Sequence, residues 1–282
     1  MSPSQAESPP RMLLTLSQVC SLQSPFEKDL EDYAGGGCQA IELWLTKLED
    51  YLETHTVENA KQLFEQHQVQ APVASFQGGL LDSQGERRRE AWELLGRRLD
   101  LCGELGVETL VVACDVAAPA DETTIGRVQA SLTLLAEEAG RRGVRAALEF
   151  QAKSTLGNNL QTAASLVALT GSPHLGLCFD AFHYFVGPSQ AEDLGLLTCE
   201  NLFHVQLCDV LDVPRELATD SHRILPGEGD IPLAPLLARL REIQYAGPVS
   251  IELMNPQLWR IPAAQFGEIG ISSLRTLLEA KP

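Results

Sequence analysis

The stretch Gly176-Leu-Cys-Phe-Asp-Ala-Phe-His183 determines how the rest of the chain is interpreted. It belongs to an apolar run of strand length that is introduced by Gly-Ser-Pro, a tripeptide that the interior of a helix disfavours. We therefore predict a short buried strand with Asp180 at its C-terminal end. In a parallel eight-stranded barrel the active site is built at that end, so Asp180 is a candidate for chemistry. The alternative is that Asp180 only caps the helix that follows.

Short apolar runs alternate with longer amphipathic runs along the whole chain, which predicts repeated strand and helix units within one domain. The eight predicted strands are Leu13–Leu16, Ala40–Trp44, Val73–Phe76, Thr109–Ala113, Ala146–Phe150, Leu175–Phe179, Phe203–Leu207 and Val249–Leu253. Eight such units close most economically into an α/β fold of the (β/α)8 TIM-barrel type, and 282 residues suit a single barrel. An open doubly wound sheet is the alternative, but no GxGxxG follows the first strand.

Residues 1–11 lie outside this pattern, and residues 12–282 are assigned to the barrel. The first segment is polar and rich in proline, which predicts a disordered tail. It has neither the basic region nor the apolar core of a signal peptide, and the chain nowhere offers the run of about 18 apolar residues that a membrane span needs. We therefore expect a soluble, cytoplasmic protein without a membrane partner.

Composition limits the partners further. The formal net charge of −17 repels phosphate backbones and argues against nucleic acid, whereas it suits a divalent cation. The seven cysteines show no CxxC pairs and several lie in or beside predicted strands, so we interpret them as reduced core residues. The sequence leaves open whether copies of the chain form a homo-oligomer.

Oxygen-bearing side chains stand near the C-terminal ends of the last four predicted strands. They are Glu149, Asp180, Gln206 and Glu252. These strands are neighbours in a barrel, so the four side chains can converge on one point near its axis. Three desolvated carboxylates repel one another unless a counter-ion neutralises them. An all-oxygen ligand set favours Mn²⁺ or Mg²⁺, with Co²⁺ or Zn²⁺ as alternatives.

With these residues the chain resembles the xylose isomerase-like TIM-barrel superfamily, which contains sugar phosphate isomerases and epimerases and has dehydroshikimate dehydratases and AP endonucleases as relatives. The most specific segments are Leu148-Glu149, Leu177–His183, His204–Asp209, Arg223–Ile231 and Tyr245–Glu252. The resemblance implies that Glu149, Asp180, Gln206 and Glu252 bind the metal. It also implies that Glu149 and Glu252 are the catalytic acid and base. Epimerases of this type usually carry His in place of Gln206, whereas the dehydratases carry Gln, which adds weight to a lyase.

Two residues near the predicted opening are candidates for substrate binding. His183 follows Asp180 by three positions, and the family uses this His to hold a substrate hydroxyl; the alternative is a rim histidine bonded to the backbone. Arg223 precedes a Pro-Gly-Glu-Gly loop that can bend over the site, where a guanidinium could steady a developing enolate. The alternative for Arg223 is a surface arginine paired with an acid.

Three more candidates for substrate contacts rest on strand alternation and loop position. Glu42 is expected inside the barrel, where it has a functional role or forms a buried ion pair with an arginine. Trp44 is predicted on the same face nearer the rim, where it either walls the pocket or packs. Lys153 lies in the loop after Glu149 and could cover a polar ligand. His204 should point inward with Gln206, one layer lower, as a core or supporting histidine.

The predicted function is a divalent-metal-dependent isomerase or epimerase that acts on a keto sugar or related polyol through an enediolate. A metal-dependent dehydratase of the 3-dehydroshikimate or inosose type is the alternative, and a non-catalytic sugar-binding barrel is less favoured. A phosphodiesterase of the AP-endonuclease type would need more histidine ligands than the six histidines of this acidic chain offer at strand ends.

Overall fold

A computed structural model describes residues 11–279, so the predicted tail lies outside the described residues except for Arg11. Its strands are β1 (Leu13–Ser17), β2 (Ala40–Trp44), β3 (Gln70–Gln77), β4 (Thr109–Cys114), β5 (Arg145–Phe150), β6 (Leu175–Asp180), β7 (Leu202–Leu207) and β8 (Pro248–Ile251). All are parallel and close in sequence order into a barrel, with β1 paired to β8. This confirms the predicted (β/α)8 barrel and excludes the open sheet.

Helices cover the outside of the barrel between consecutive strands. They are α1 (Phe26–Gly35), α2 (Leu45–Leu52), α3 (Val57–His67), α4 (Gly85–Leu105), α5 (Glu122–Arg141), α6 (Leu160–Thr170), α7 (Ala181–Val186), α8 (Leu233–Glu242) and α9 (Ala263–Glu279). Polar side chains in the sequence determine several helix starts: Asp121 caps α5, and Asn159 caps α6. No helix within residues 11–279 combines the length and apolarity that crossing a bilayer requires.

Strand alternation separates two apolar regions. Leu148 and its outward-facing counterparts pack between the sheet and the helices, as predicted for Leu148. A second, small cluster of Val73, Val111, Ala147, Cys178 and Phe203 is separate from that layer. All seven cysteines lie in the described part of the chain and are free thiols, and only Cys199 among them is exposed.

Among the C-terminal ends of the strands, the predicted and observed bounds differ most at β8. The strand ends at Ile251, one residue before Glu252, although the amide of Glu252 still donates to the carbonyl of Leu207 at 3.1 Å. Glu252 therefore stands at the point where strand pairing stops. This position places its side chain at the C-terminal rim of the barrel.

Candidate active site

Asp180 is both the last residue of β6 and the N-cap of α7. Its Oδ1 accepts the backbone N–H of His183 at 3.0 Å, and its Oδ2 accepts from Nη1 of Arg223 at 2.7 Å. The two interpretations of Asp180 from the sequence are thus compatible, because one oxygen caps the helix while the other faces the rim of the barrel.

Glu149, Asp180, Gln206 and Glu252, which were predicted to converge, lie at the C-terminal rim, and their convergence on one metal stays a prediction. Strand pairing sets Glu149 beside Cys178, and Asp180 beside Gln206. Nε2 of Gln206 donates to Oε1 of Glu252 at 2.9 Å. One potential ligand atom each from Glu149, Asp180 and His183 lie within 4.8 Å of one another. The rim therefore holds three nearly buried carboxylates, an amide and an imidazole.

Arg223 is the counter-ion of this carboxylate group. Its Nη1 lies 2.7 Å from Oδ2 of Asp180 and 3.2 Å from Oε2 of Glu252, while Nε donates to Asp220 at 3.1 Å. The guanidinium carbon lies 4.4 Å from the ring centre of Phe182. Arg223 is 1% exposed, so the alternative of a surface arginine is wrong, although pairing with acids is observed.

One guanidinium cannot neutralise all three carboxylates. Burial and the charge of Asp180 raise the pKa of Glu149 well above its usual range. Burial and the neighbouring acids Glu42, Asp180 and Glu149 also raise the pKa of Glu252, although Arg223 opposes the rise. Burial favours the neutral form of Asp180 too, but Arg223 and His183 together outweigh it and lower the pKa of Asp180 to about 2. The negative charge is therefore surplus at the two glutamates.

The chemistry of these donors fits a divalent cation. Glu149, Asp180 and Glu252 present carboxylate oxygens, which are the ligands that hard cations prefer. The surplus negative charge that raises the pKa of both glutamates would be relieved by a cation between them. Gln206 and His183 add an amide and an imidazole at the same rim. The donor set alone does not select one metal.

The loop that carries Arg223 is held by Asp209. The backbones of Asp209 and Ile224 exchange two hydrogen bonds of 2.9 Å, and the carboxylate of Asp209 accepts the amides of Gly227 at 3.0 Å and Ile231 at 2.8 Å. At Gly229 a Cβ atom would lie 2.4 Å from the carbonyl oxygen of Val210, so only glycine fits there. The second glycine of the Pro-Gly-Glu-Gly sequence thus allows two backbone segments to approach closely beside the site.

Glu42 lies inside the barrel and is fully buried. Its Oε2 lies 3.1 Å from Nε2 of His204, and its Oε1 accepts from Nε2 of Gln206 at 2.9 Å. The predicted alternative of an ion pair with an arginine is wrong, because the basic side chain beside Glu42 is that of His204. His204 points inward below Gln206, as alternation predicted. Substrate contact by Glu42 stays a prediction, and both of its oxygens are already hydrogen-bonded.

The remaining predicted substrate contacts lie around the opening. His183 is 9% exposed, and its Nδ1 accepts the amide of Ala152 at 3.5 Å, which leaves Nε2 for a donor role. Burial lowers the pKa of His183, and Asp180 opposes this effect. Lys153 is exposed in the loop after β5 and its charge acts on His183. Their roles toward a substrate stay predictions.

Trp44 has an aromatic neighbour that sequence reasoning missed. Its ring centre lies 5.4 Å from that of Phe76, which is 42% exposed at the end of β3. Gln151, which bonds to Glu149, and Phe182, which faces Arg223, were also missed. The positions of Gln151 and Phe76 next to strand ends were the available signals. Nothing local indicated that Phe182 would face an arginine from another loop.

Comparisons with known proteins agree with the fold. The family model described as "Xylose isomerase-like TIM barrel" matches residues 30–276. The chain is 29% identical over 262 residues to the inosose isomerase of Bacillus velezensis, which covers 90% of this chain and 92% of that protein. It is 30% identical over 212 residues to the 3-dehydroshikimate dehydratase of Pseudomonas putida, covering 74% of this chain but only 32% of that longer protein.

A solved structure agrees as well. The structure of the IOLI protein with a bound zinc atom superposes with a TM-score of 0.86 at 25% identity, over 95% of this chain and 98% of that chain. The relatives with assigned activities are thus enzymes, and one structural relative holds a divalent metal.

Proposed function

This chain belongs to the xylose isomerase-like TIM-barrel family, and on that premise we propose that it is a metal-dependent isomerase or epimerase of a keto sugar or related polyol. The observation that carries the proposal is the pair Glu149 and Glu252. Glu149 stands on β5 and Glu252 directly follows β8 at the same rim, and burial among like charges raises the pKa of each. Carboxyl groups whose pKa is raised in this way can both accept and return a proton.

The two glutamates have separate roles in proton transfer. One glutamate removes the proton from the carbon beside the substrate carbonyl, and an enediolate results. The other glutamate returns the proton, either to the opposite face, which gives an epimer, or to the adjacent carbon, which gives an isomer. The guanidinium of Arg223, whose Nη1 lies 3.2 Å from Glu252, steadies negative charge on a substrate oxygen. His183 orients a hydroxyl through Nε2, and the rings of Trp44 and Phe76 wall the opening.

The metal ligands of the proposal are Glu149, Asp180, Gln206 and Glu252. A divalent cation held there would polarise the substrate carbonyl as a Lewis acid and acidify the adjacent C–H bond. We favour Mn²⁺ or Mg²⁺ because the donors are oxygens, with Co²⁺ or Zn²⁺ as alternatives. The free cysteines favour a reducing compartment, so we keep the cytoplasm as the proposed location.

A dehydratase is the second candidate, and Gln206 favours it. The similarity to a 3-dehydroshikimate dehydratase adds support. Such an enzyme would remove the same proton and then expel the β-hydroxyl as water, with His183 as the donor of the second proton. The two candidates therefore share the first step and differ in what the enediolate does next.

A screen in D₂O tests the proposal. Protein stripped with a chelator and reloaded with Mn²⁺ is incubated with ketoses, inososes and 3-dehydroshikimate, and NMR detects deuterium next to the carbonyl. We expect incorporation with an epimer or isomer as product. An unsaturated product with strong ultraviolet absorbance and no epimer would select the dehydratase. Binding without exchange for every compound would contradict both enzymes and support a sugar-binding barrel.

A further inference from the structure

The interior of this barrel is polar on one side. TIM-barrel interiors are usually filled by branched apolar side chains. Here, buried polar side chains from β1, β2, β7 and β8 lie at and below the rim. They are Thr15, Glu42, His204, Gln206 and Ser250. A buried carboxylate in this position is costly unless other groups compensate it, so the arrangement requires an explanation.

The hydrogen bonds of His204 specify where its protons lie. Nδ1 faces the carbonyl oxygen of Pro248 at 3.2 Å, and a carbonyl can only accept, so Nδ1 carries a hydrogen. Nε2 faces Oε2 of Glu42 at 3.1 Å and Oγ of Ser250 at 3.3 Å. Ser250 gives its own hydrogen to Thr15 at 2.9 Å, so it also accepts from His204. His204 therefore holds Oε2 of Glu42 in place, and Oε1 of Glu42 accepts from Gln206.

The orientation of the Gln206 amide follows from Glu42. Nε2 lies 2.9 Å from Oε1 of Glu42 and 2.9 Å from Oε1 of Glu252. Carboxylates accept, so the nitrogen and not the oxygen must face them. The amide oxygen accepts the thiol of Cys178 at 3.0 Å. A chain of hydrogen bonds thus runs from His204 through Glu42 and Gln206 to Glu252.

We propose that Glu42 is a positioning residue, which is held by His204 and fixes the amide of Gln206 and, through it, the carboxylate of Glu252. This inference rests on the proposed function only in giving Glu252 its catalytic role. It replaces the sequence prediction that Glu42 contacts substrate, because its oxygens are occupied by Gln206 and His204. The E42Q variant loses the orientation, since an amide at position 42 can face Gln206 with either its oxygen or its nitrogen.

The first test needs neither metal nor substrate. Glutamine is labelled with ¹⁵N, and the side-chain signal of Gln206 is assigned by its loss in Q206A. In E42Q we expect its amide protons to exchange with solvent at least about tenfold faster, because a charge-assisted hydrogen bond is lost. The T109V variant, which removes a buried hydroxyl from a different barrel strand, is the matched control and should leave this exchange unchanged. Unchanged exchange in E42Q would overturn the proposal.

The second test measures Mn²⁺ affinity by calorimetry for E42Q, Q206A and the double variant. E42Q should weaken binding about tenfold, as loss of a supporting hydrogen bond typically does. If Glu42 acts through Gln206, E42Q should add nothing in the Q206A background. Additive losses would overturn the proposal. If the wild type does not bind Mn²⁺, the proposed function fails, and the exchange measurement alone decides the role of Glu42.

Steady-state kinetics with the substrate found by the screen separates positioning from substrate contact. In E42Q we expect kcat to fall about tenfold or more while KM stays within about threefold. A raised KM with unchanged kcat would overturn the proposal and restore Glu42 as a substrate ligand. If E42Q does not fold, E42L/H204L replaces both members of the buried pair and serves the same measurements, since apolar replacement of a whole buried pair is usually tolerated.

Discussion

Two groups of buried charged side chains in this molecule differ in whether their positive and negative charges are equal in number. At the barrel rim, the carboxylates of Glu149, Asp180 and Glu252 share one guanidinium, that of Arg223. Outside the barrel, Lys47 on α2 faces Asp29 on α1, with Nζ 2.6 Å from Oδ2. The second group, which we call the α1–α2 pair, has one charge of each sign, whereas the rim has a surplus of negative charge.

Hydrogen bonds from neighbouring groups also satisfy both members of the α1–α2 pair. Nζ of Lys47 donates to the carbonyl of Ser21 at 2.7 Å, and Oγ of Ser21 donates to Asp29 at 2.7 Å. Gln18 donates to Asp29 at 3.2 Å and accepts the amide of Trp44 at 3.0 Å. This pair has equal and opposite charges and several hydrogen bonds, and it joins two helices to the segment before them. Its role is therefore structural. Surplus charge, in contrast, indicates a site that awaits a cation or a proton.

The largest expected effect is a loss of catalytic activity at the rim, which the α1–α2 pair should not show. E149Q should reduce kcat about 10³-fold, because a proton carrier is lost, while the midpoint of thermal unfolding should not fall, because repulsion at the rim decreases. Activity assays and calorimetry check both parts. E137Q on the exposed face of α5 is the matched control. A destabilised E149Q protein would mean that the rim is structural like the α1–α2 pair.

The next effect concerns stability alone. K47M should lower the free energy of unfolding by about 3 to 4 kcal/mol, because it leaves Asp29 buried without its cation. The double variant D29L/K47M should recover most of this loss, since no charge remains. Urea unfolding of the three proteins measures both changes. A K47M protein as stable as the wild type would show that this pair is not what joins α1 and α2.

The α1–α2 pair also predicts a pH dependence. Burial raises the pKa of Asp29 to about 6, and Lys47 opposes the rise. A carboxyl whose pKa is raised on folding stabilises the fold at low pH and loses that contribution as pH rises through the folded value. The free energy of unfolding of the wild type, measured relative to D29L/K47M, should therefore fall by about 2 kcal/mol between pH 4.5 and pH 7. An opposite slope would contradict the raised pKa.

The smallest effect concerns metal preference at the rim. Q206H should bind Zn²⁺ and Co²⁺ about tenfold more tightly than the wild type, because imidazole suits these metals better than an amide oxygen does. Competition titrations against Mn²⁺ measure the change. Q190H, at the start of an exposed short helix, is the control for adding a histidine. An unchanged preference would show that residue 206 is not a ligand.

Much of the fold and part of the site could be predicted because they depend on local patterns. Short apolar runs marked the eight strands, and alternation with a period of two put Glu42, His204 and Gln206 inside the barrel. The rule that function lies at the C-terminal ends of parallel strands then selected Glu149 and Asp180. Both inferences need only neighbouring residues along the chain.

The pairing of these side chains was decided by the tertiary structure. Arg223 meets Asp180 across 43 positions of the chain, and Glu42 meets His204 across 162. The sequence by itself determined which residue types reach the rim and interior of the barrel, since strand period and strand ends are local properties. Which carboxylate is neutralised, and by which cation, depended on barrel closure and on the loop held by Asp209, because those contacts form between segments that are distant in sequence.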